Sequence, residues 1–534
     1  MSPVSPRFSV LTPVYNPPPH VLQETIDSVR NQTYGDWELC LVDDCSTDPE
    51  IKTLLDTAAA SDPRIRVIYR TENGGITAAS SDALAMATGE FIALLDHDDL
   101  LNENALDAVA LTADQHPTLD YSYSDEAHLS PEGNVITPFY KPDWSPERLR
   151  SQNYCTHFSV MRRTLVNEVG GFRTGFDGSQ DYDLILRVTE KARYIHHFTW
   201  IMYLWRQLPT SIAGDRNAKP YAYESGKRAL QEHADRLGIK ATVEMQEPLG
   251  TYRFRRHLRS TPRVSIIIPT RGTSSLVWGI TRNLVVETVE SVLAEESYPD
   301  LEFIIVADTV TPPDVITALE RLLGDRMKLV WYDKKFNFSE KCNLGAAHAT
   351  GELLLFLNDD MQVITPDFLT TLVPIAQDQS IGMVGAKLYF ADGTLQHAGH
   401  VYNGDPYHAM FRWSREELGP SGLLVVQREC IGVTAACALM RMEVFDEVGG
   451  FTPLLYGNFN DVDLSMKVRQ AGYRIVWTPY VEMYHFESQT RVPTPTDYEH
   501  MVLRHRWSDR LYGDPYYNIN FAPFRDDWVE RALR

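Results

Sequence analysis

Three aspartates crowd into four positions of GEFIALLDHDDLL (89–101), where Asp96, Asp98 and Asp99 follow the apolar run Phe91–Leu95. Carboxylates this close repel one another, and their pKa values climb unless a cation balances them. Mg2+ and Mn2+ bind through one or two carboxylates together with phosphate oxygens, so the cluster suits a metal–diphosphate site. Helix capping would account for one aspartate here, not three. A second cluster closes GSQDYD (178–183). Its chemistry is that of a general base, a carboxylate that takes the proton from an attacking hydroxyl, and its simpler use is to cap the helix that starts there.

Both clusters recur. GELLLFLNDDMQV (351–363) sets Gly351 on Gly89, Asn358 on Asp96 and Asp360 on Asp98 without a gap, with Asp359 alongside. VGGFTPLLYGNFNDVDLSMKV (448–468) repeats VGGFRTGFDGSQDYDLILRV (169–188) with one inserted residue, pairing Asp181 with Asp461 and Asp183 with Asp463. Earlier in each half, FSVLTPVYN (8–16) answers VSIIIPTRG (264–272), and ELCLVDDCSTD (38–48) answers EFIIVADTVTPPD (302–314), which puts Asp44 on Asp308. Matched blocks in one order, twice over, mark a tandem duplication.

The elements that position these residues follow from the same pattern. Each block is a short apolar, β-rich run stopped by proline or polar residues, the signature of a strand feeding a loop. Helical periodicity fills the intervals at 20–32, 103–116 and 284–297, and 221–239 reads as a closing helix of the first half. Strands alternating with helices predict an α/β fold, two tandem Rossmann-like domains with mostly parallel sheets, spanning 1–258 and 259–534. Ligands of such sheets sit at the carboxyl ends of the strands, where the aspartates lie.

A chain of 534 residues exceeds a single core. Its 50 Lys plus Arg against 72 Asp plus Glu give a formal charge of −22, which repels phosphate backbones and argues against nucleic acid as a partner. No apolar run approaches the ~18–20 residues that span a bilayer, and the first residues, MSPVSPRFSVLTPVYNPPP, lack a signal-peptide pattern. Six cysteines without C-x-x-C spacing fit reduced thiols in a cytoplasmic protein.

The succession TPVYN, VDDCSTD, LDHDD, GGF and SQDYD resembles a family two glycosyltransferase domain of the GT-A fold. The second half resembles the same family, particularly bacterial rhamnosyltransferases and enzymes of O-antigen and cell-surface polysaccharide synthesis. That match rests on FNFSEKCNLGAAHATGELLLFLNDD, DGTLQHAGHVYN, VTAACALMR, FNDVDLSMKVRQAGYRIVWTPY and YHFES. The resemblance implies inverting, Mn2+- or Mg2+-dependent sugar transfer from a nucleotide-diphosphate donor to a glycan or lipid-linked glycan acceptor. A lipid-linked acceptor would bring the protein to the inner face of the cell membrane as a peripheral enzyme.

By that resemblance Asp44 and Asp308 contact the nucleobase, and Asp96, Asn358 and Asp359 belong to the donor site. Asp98 and Asp360 hold the metal, and Asp181 and Asp461 are the bases. His485 completes the second metal site, with Glu487 nearby. Where related sequences have Tyr-His-Trp-Arg, the first half has Tyr203, Leu204, Trp205 and Arg206. Leucine cannot bind metal or phosphate, and Arg206 is then expected on the diphosphate. His397, in QHAGH, is either near the ligands or an ordinary loop histidine. The expected protein is bifunctional; the alternative confines catalysis to the second half and leaves the first to bind acceptor or act as a scaffold. A sugar-nucleotide pyrophosphorylase would need a glycine-rich basic loop after the first strand, which neither TPVYNPPPH nor PTRGTSSL supplies. A lectin-like module gives no reason for both clusters to recur.

Overall fold

The computed structural model of the protein describes residues 5–208, 220–486 and 494–531. Two compact units emerge: Met1–Trp144, Gln152–Ile239 and Val243–Phe254 form the first, and Ser145–Ser151, Lys240–Thr242 and Arg255–Arg534 the second.

In the first unit, Phe8–Val14 lies between Trp37–Asp43 and Phe91–Leu94, parallel to both, and Ile65–Tyr69 extends the parallel set. Val160–Arg162 then joins Phe91–Leu94 antiparallel, and Leu119–Leu129 pairs with it and, in parallel, with Tyr194–Arg206. The second unit repeats this plan. Val264–Thr270 runs parallel to Leu301–Asp308 and Leu353–Leu357, Cys437–Arg441 is antiparallel, and Ile381–Tyr389 pairs in parallel with Arg474–His485. The fold class is therefore α/β, with mixed sheets whose first strands are parallel. Such a sheet is covered on both faces, which explains why Leu353–Leu357 is apolar and buried at every position. The expected helices form at Pro19–Arg30, Ala105–Gln115, Pro220–Arg236 and Leu284–Glu295.

The duplication extends to a polar latch at the other end of the strands. Glu38 accepts from Ser9 Oγ and Thr88 N, both at 2.6 Å, and Gly89 N donates to Ser9 Oγ at 2.8 Å. Glu302 accepts from Ser265 Oγ at 2.5 Å and Thr350 N at 2.6 Å, and Gly351 N donates to Ser265 Oγ at 2.9 Å. The latch brings the glycine against the neighbouring strand. A Cβ on Gly351 would stand 2.6 Å from the Arg263 carbonyl oxygen, and one on Gly89 would stand 2.8 Å from the Phe8 carbonyl carbon. Gly351→Ala must displace backbone and is expected to cost about 1–3 kcal/mol, read as a lowered urea midpoint.

Asp183 and Asp463, also duplicated, are structural anchors. Asp183 is fully buried and accepts from Arg187 Nη2 at 2.6 Å; Asp463 accepts from Arg506 Nε at 2.6 Å and Trp507 Nε1 at 2.7 Å. Among the described residues no helix is long and apolar enough to cross a membrane.

Candidate active site

In the second unit the buried strand Leu353–Leu357 ends at the sheet edge and delivers Asn358, Asp359 and Asp360. Asp359 turns inward and accepts from Thr270 Oγ1 at 2.6 Å; burial and the neighbouring Asp360 push its carboxyl up to about 6. Asp360 faces His485, whose Nε2 lies 3.1 Å from Asp360 Oδ1 and 3.0 Å from Asn358 Nδ2. His485 closes the strand Arg474–His485, and its Nδ1 lies 2.7 Å from Gln396 Oε1. An amide oxygen can only accept, so Nδ1–H donates to Gln396 and Nε2 is the nitrogen turned to the strand-end residues. Asp360 Oδ1, beside Nε2, has no hydrogen-bond donor, and Asn358 Oδ1 is likewise buried without one. Inward-facing acceptors held by a fixed imidazole fit a divalent cation, with Gln396 orienting the ring from behind. When bound, such an ion would neutralise negative charge on a diphosphate leaving group. Glu487 lies outside the described residues.

The base candidate stands on the other side of a short segment. Asp461, in the first turn of the helix Asn460–Gln470, accepts from Val462 N at 2.8 Å and Ala435 N at 3.3 Å. The next residue, Ala436, accepts from Asn358 N at 3.0 Å. Adjacent peptide units thus tie the carboxylate base to the cation-fitting pole. Asp308 ends its strand against Lys341 Nζ at 2.8 Å.

His397 is fully buried, so it is no loop histidine. Its Nε2 accepts from Thr434 N at 3.2 Å, which leaves its Nδ1–H to donate to His408 Nδ1 at 2.8 Å. With His400 these histidines bring a ring nitrogen each within 4.8 Å of one another. Both nitrogens of His397 are thereby taken, and burial holds His397 far below the ordinary histidine range and His400 at about 3. His397 and His400 are thus held neutral, and the group packs near Asp461 as a hydrogen-bonded support.

In the first unit Asp96, Asp98 and Asp99 follow Phe91–Leu94 as expected, but their uses differ. Asp99 is buried, accepting from Tyr203 Oη at 2.6 Å and Arg206 N at 2.7 Å, and burial with its acidic neighbours raises its pKa far above the usual range. Burial also raises Asp98, with Asp96 adding to the effect. Arg206 is the clearest correction. Expected on a diphosphate, it is only 2% exposed and spends its guanidinium on the Asp98 carbonyl at 3.0 Å, the Pro131 carbonyl at 3.1 Å and Glu24 Oε2 at 2.6 Å. It holds the loop that presents the aspartates. Asp44 accepts from Gly74 N at 2.9 Å and Gly75 N at 2.8 Å, pinning the start of the helix Gly75–Met86, and forms an ion pair with Arg70, whose Nε lies 2.9 Å away. Asp181 accepts from Asn153 Nδ2 at 3.0 Å in the first turn of Gln180–Thr189, and burial raises its pKa.

Strand register also revises the position compared with His485. Met361 pairs with His485 and Gln362 with Tyr484, whereas Leu100 pairs with Leu204 and Leu101 with Tyr203. With Asp98 on Asp360, Leu100 matches Gln362, so Leu204 stands where Tyr484 does. Trp205, not Leu204, occupies the place of His485.

The two units share an α/β plan whose parallel strands end in carboxylates. Residues 9–170 and 265–449 match Glycosyl transferase family 2. The chain belongs to that family and is a glycosyltransferase. Over 544 aligned residues it is 41% identical to the uncharacterized protein y4gI of Sinorhizobium fredii, covering 99% of this chain and 59% of that one. Over 520 it is 38% identical to the O-antigen biosynthesis protein RfbC of Myxococcus xanthus, covering 96% of this chain and 40% of the relative. It therefore spans only about half the length of these relatives. A crystal structure of S. aureus TarS 1–349 in complex with UDP-GlcNAc aligns over 42% of this chain and 66% of that one, at 22% identity and a TM-score of 0.35.

Proposed function

We propose that the protein transfers sugars, with inversion, from UDP- or dTDP-sugar donors to the hydroxyl of a growing cell-surface or O-antigen-type polysaccharide. Each of two domains, 1–258 and 259–534, holds one donor site. The observation that carries this reading is the pair of poles in the second unit, where Ala435 donates to the Asp461 carboxylate and Ala436 accepts from Asn358 beside Asp360 and His485. Asp360, Asn358 and His485 would hold Mn2+ or Mg2+, with Asp308 at the nucleobase. Asp461 accepts the proton of the acceptor hydroxyl as that oxygen attacks the anomeric carbon from the face opposite the leaving diphosphate. Asp181 has the same role in the first unit, with Asp44, Asp96 and Asp98 in the donor and metal roles. The O-antigen name of the Myxococcus relative supports the acceptor class, and dTDP-rhamnose is the donor to test first.

The test is a panel of UDP- and dTDP-sugars incubated with the full chain and Mn2+, followed by release of nucleoside diphosphate. One or two donors should turn over and EDTA should abolish the signal. Turnover that is untouched by chelation would overturn the metal assignment. No turnover of any donor, with or without glycan acceptor, would overturn the reading.

A further inference from the structure

We infer that the hairpin formed by Ser274–Val277 and Ile280–Asn283 is a wedge that enters the headgroup layer of a phospholipid bilayer and seats the second unit's site at that surface. The inference rests on the acceptor class proposed above only for its purpose, which is to meet a polysaccharide chain held on a lipid. The hairpin belongs to one half of the duplication. In the first unit the strand Phe8–Val14 leads almost directly into the helix Pro19–Arg30. In the second, the hairpin is inserted between the strand Val264–Thr270 and the helix Leu284–Glu295.

Its tip is apolar on every side. Antiparallel pairing sets Val277 opposite Ile280 on one face and Leu276 opposite Thr281 on the other. Val277 is buried with Leu284 and Phe486, yet Ile280 is 60% exposed, Leu276 is 65% exposed, and Trp278 at the turn is 45% exposed. A protein partner covers one face of such a ribbon, whereas a bilayer interface surrounds the tip and takes all three side chains from water together. The turn carries its tryptophan against local preference. Trp278 and Gly279 both have positive φ, +52° and +77°, as a two-residue hairpin turn requires, and asparagine or glycine suits the first position while a bulky side chain is strained there. The indole is a side chain that favours the boundary between water and hydrocarbon.

The wedge is braced on the site itself. Trp278 Nε1 donates to the Ala391 carbonyl at 2.7 Å, and Tyr484 and Phe486, on either side of His485, meet the indole edge-on with centroids 5.1 Å away. Phe486 N in turn donates to the Asp360 carbonyl at 2.9 Å. Charge favours the same surface. The protein has a formal charge of −22, but the stretch 270–286 holds no Asp or Glu and includes Arg271 and Arg282. Arg282 pairs with Glu287 at 2.7 Å, while the Arg271 side chain is 59% exposed and 3.9 Å from Asp308. Carboxylates elsewhere repel anionic headgroups, and this ribbon is where the protein can approach them.

The experiment is flotation of the full chain with vesicles of phosphatidylethanolamine and phosphatidylglycerol, repeated with brominated acyl chains that quench tryptophan inside the bilayer. Wild type should float with the vesicles and lose fluorescence to the bromines. Leu276→Ser combined with Ile280→Ser should weaken binding at least ~10–100-fold, because partition scales with the apolar area buried. Its melting temperature and its release of nucleoside diphosphate from free donor should match wild type. Trp278→Phe should bind within ~10-fold of wild type and lose most of the bromine quenching, a signature that a purely structural role does not produce. The wedge is overturned if wild type stays with the soluble fraction, if the double variant binds as wild type does, or if the quenching survives Trp278→Phe. Dimerisation of wild type that the double variant abolishes, without vesicle binding, would assign the tip to a second copy and overturn it as well. Vesicle binding needs no turnover, so loss of the wedge leaves the transferase reading standing, and donors that fail to turn over leave the wedge standing.

Discussion

Asp360→Asn is expected to lower sugar transfer by the second unit about 1,000-fold or more, the scale of removing a principal charge-stabilising group. Asn358 and His485 bring no negative charge to the cation-fitting pole, and Asp359 is turned to Thr270. Asp360 is the anion facing His485. An amide there keeps the shape of the site and removes the charge that makes it select a hard divalent ion. Binding of Mn2+ to the second unit should fall together with turnover, while donor hydrolysis by the first unit persists. Asp359→Asn should have the smaller effect. Unchanged Mn2+ affinity and turnover in Asp360→Asn would remove the carboxylate from the metal role.

The second large effect is at the base. Asp461→Asn should reduce kcat for transfer by ~10²–10⁴-fold, with little change in donor affinity. The amide oxygen can still accept from Val462 N or Ala435 N, so the helix start is preserved and the loss is chemical. Donor affinity measured by calorimetry separates the two roles, because a residue that binds donor would move it. Asp181 adds a pH signature to the first unit. Burial raises its pKa, and a base acts only when ionised. Transfer by that unit should therefore fall away on acidification from a pH above the ordinary carboxylate range, and Asp181→Asn should remove that limb. An acid limb at the usual carboxylate pKa would show that another group sets it.

Much of the architecture was open to inspection in the residues. The repeated strand-then-aspartate phrase located the sheet edges, because apolar runs must be buried and the charges that follow them cannot be. The paired GGF and D-x-D blocks revealed two units, and even the invariant-looking glycines at 89 and 351 have a local cause in the Glu38 and Glu302 latches. Less visible was the use made of each charge. Arg206 reads as an anion-binding residue until Glu24, more than a hundred residues earlier, is found against it. Asp99 looks like one more metal carboxylate until Tyr203 and the Arg206 amide are seen to consume its oxygens.

The histidines divide the two kinds of information most clearly. His485 could be singled out because the family resemblance places a histidine after the base-bearing helix, so the local order of residues carries the expectation. The environment of His157 could not, because its neighbours Glu126 and Tyr203 come from other strands and meet it only when the sheet forms. Fold class, duplication and the placement of strand-end carboxylates depend on periodic burial along the chain, which the linear order of residues already contains. Which nitrogen of a ring faces a carboxylate, and which charge is left free for a ligand, depends on partners that meet across the sheet. Hydrogen bonds are directional and saturable, and their allocation exists only once those distant partners are in place.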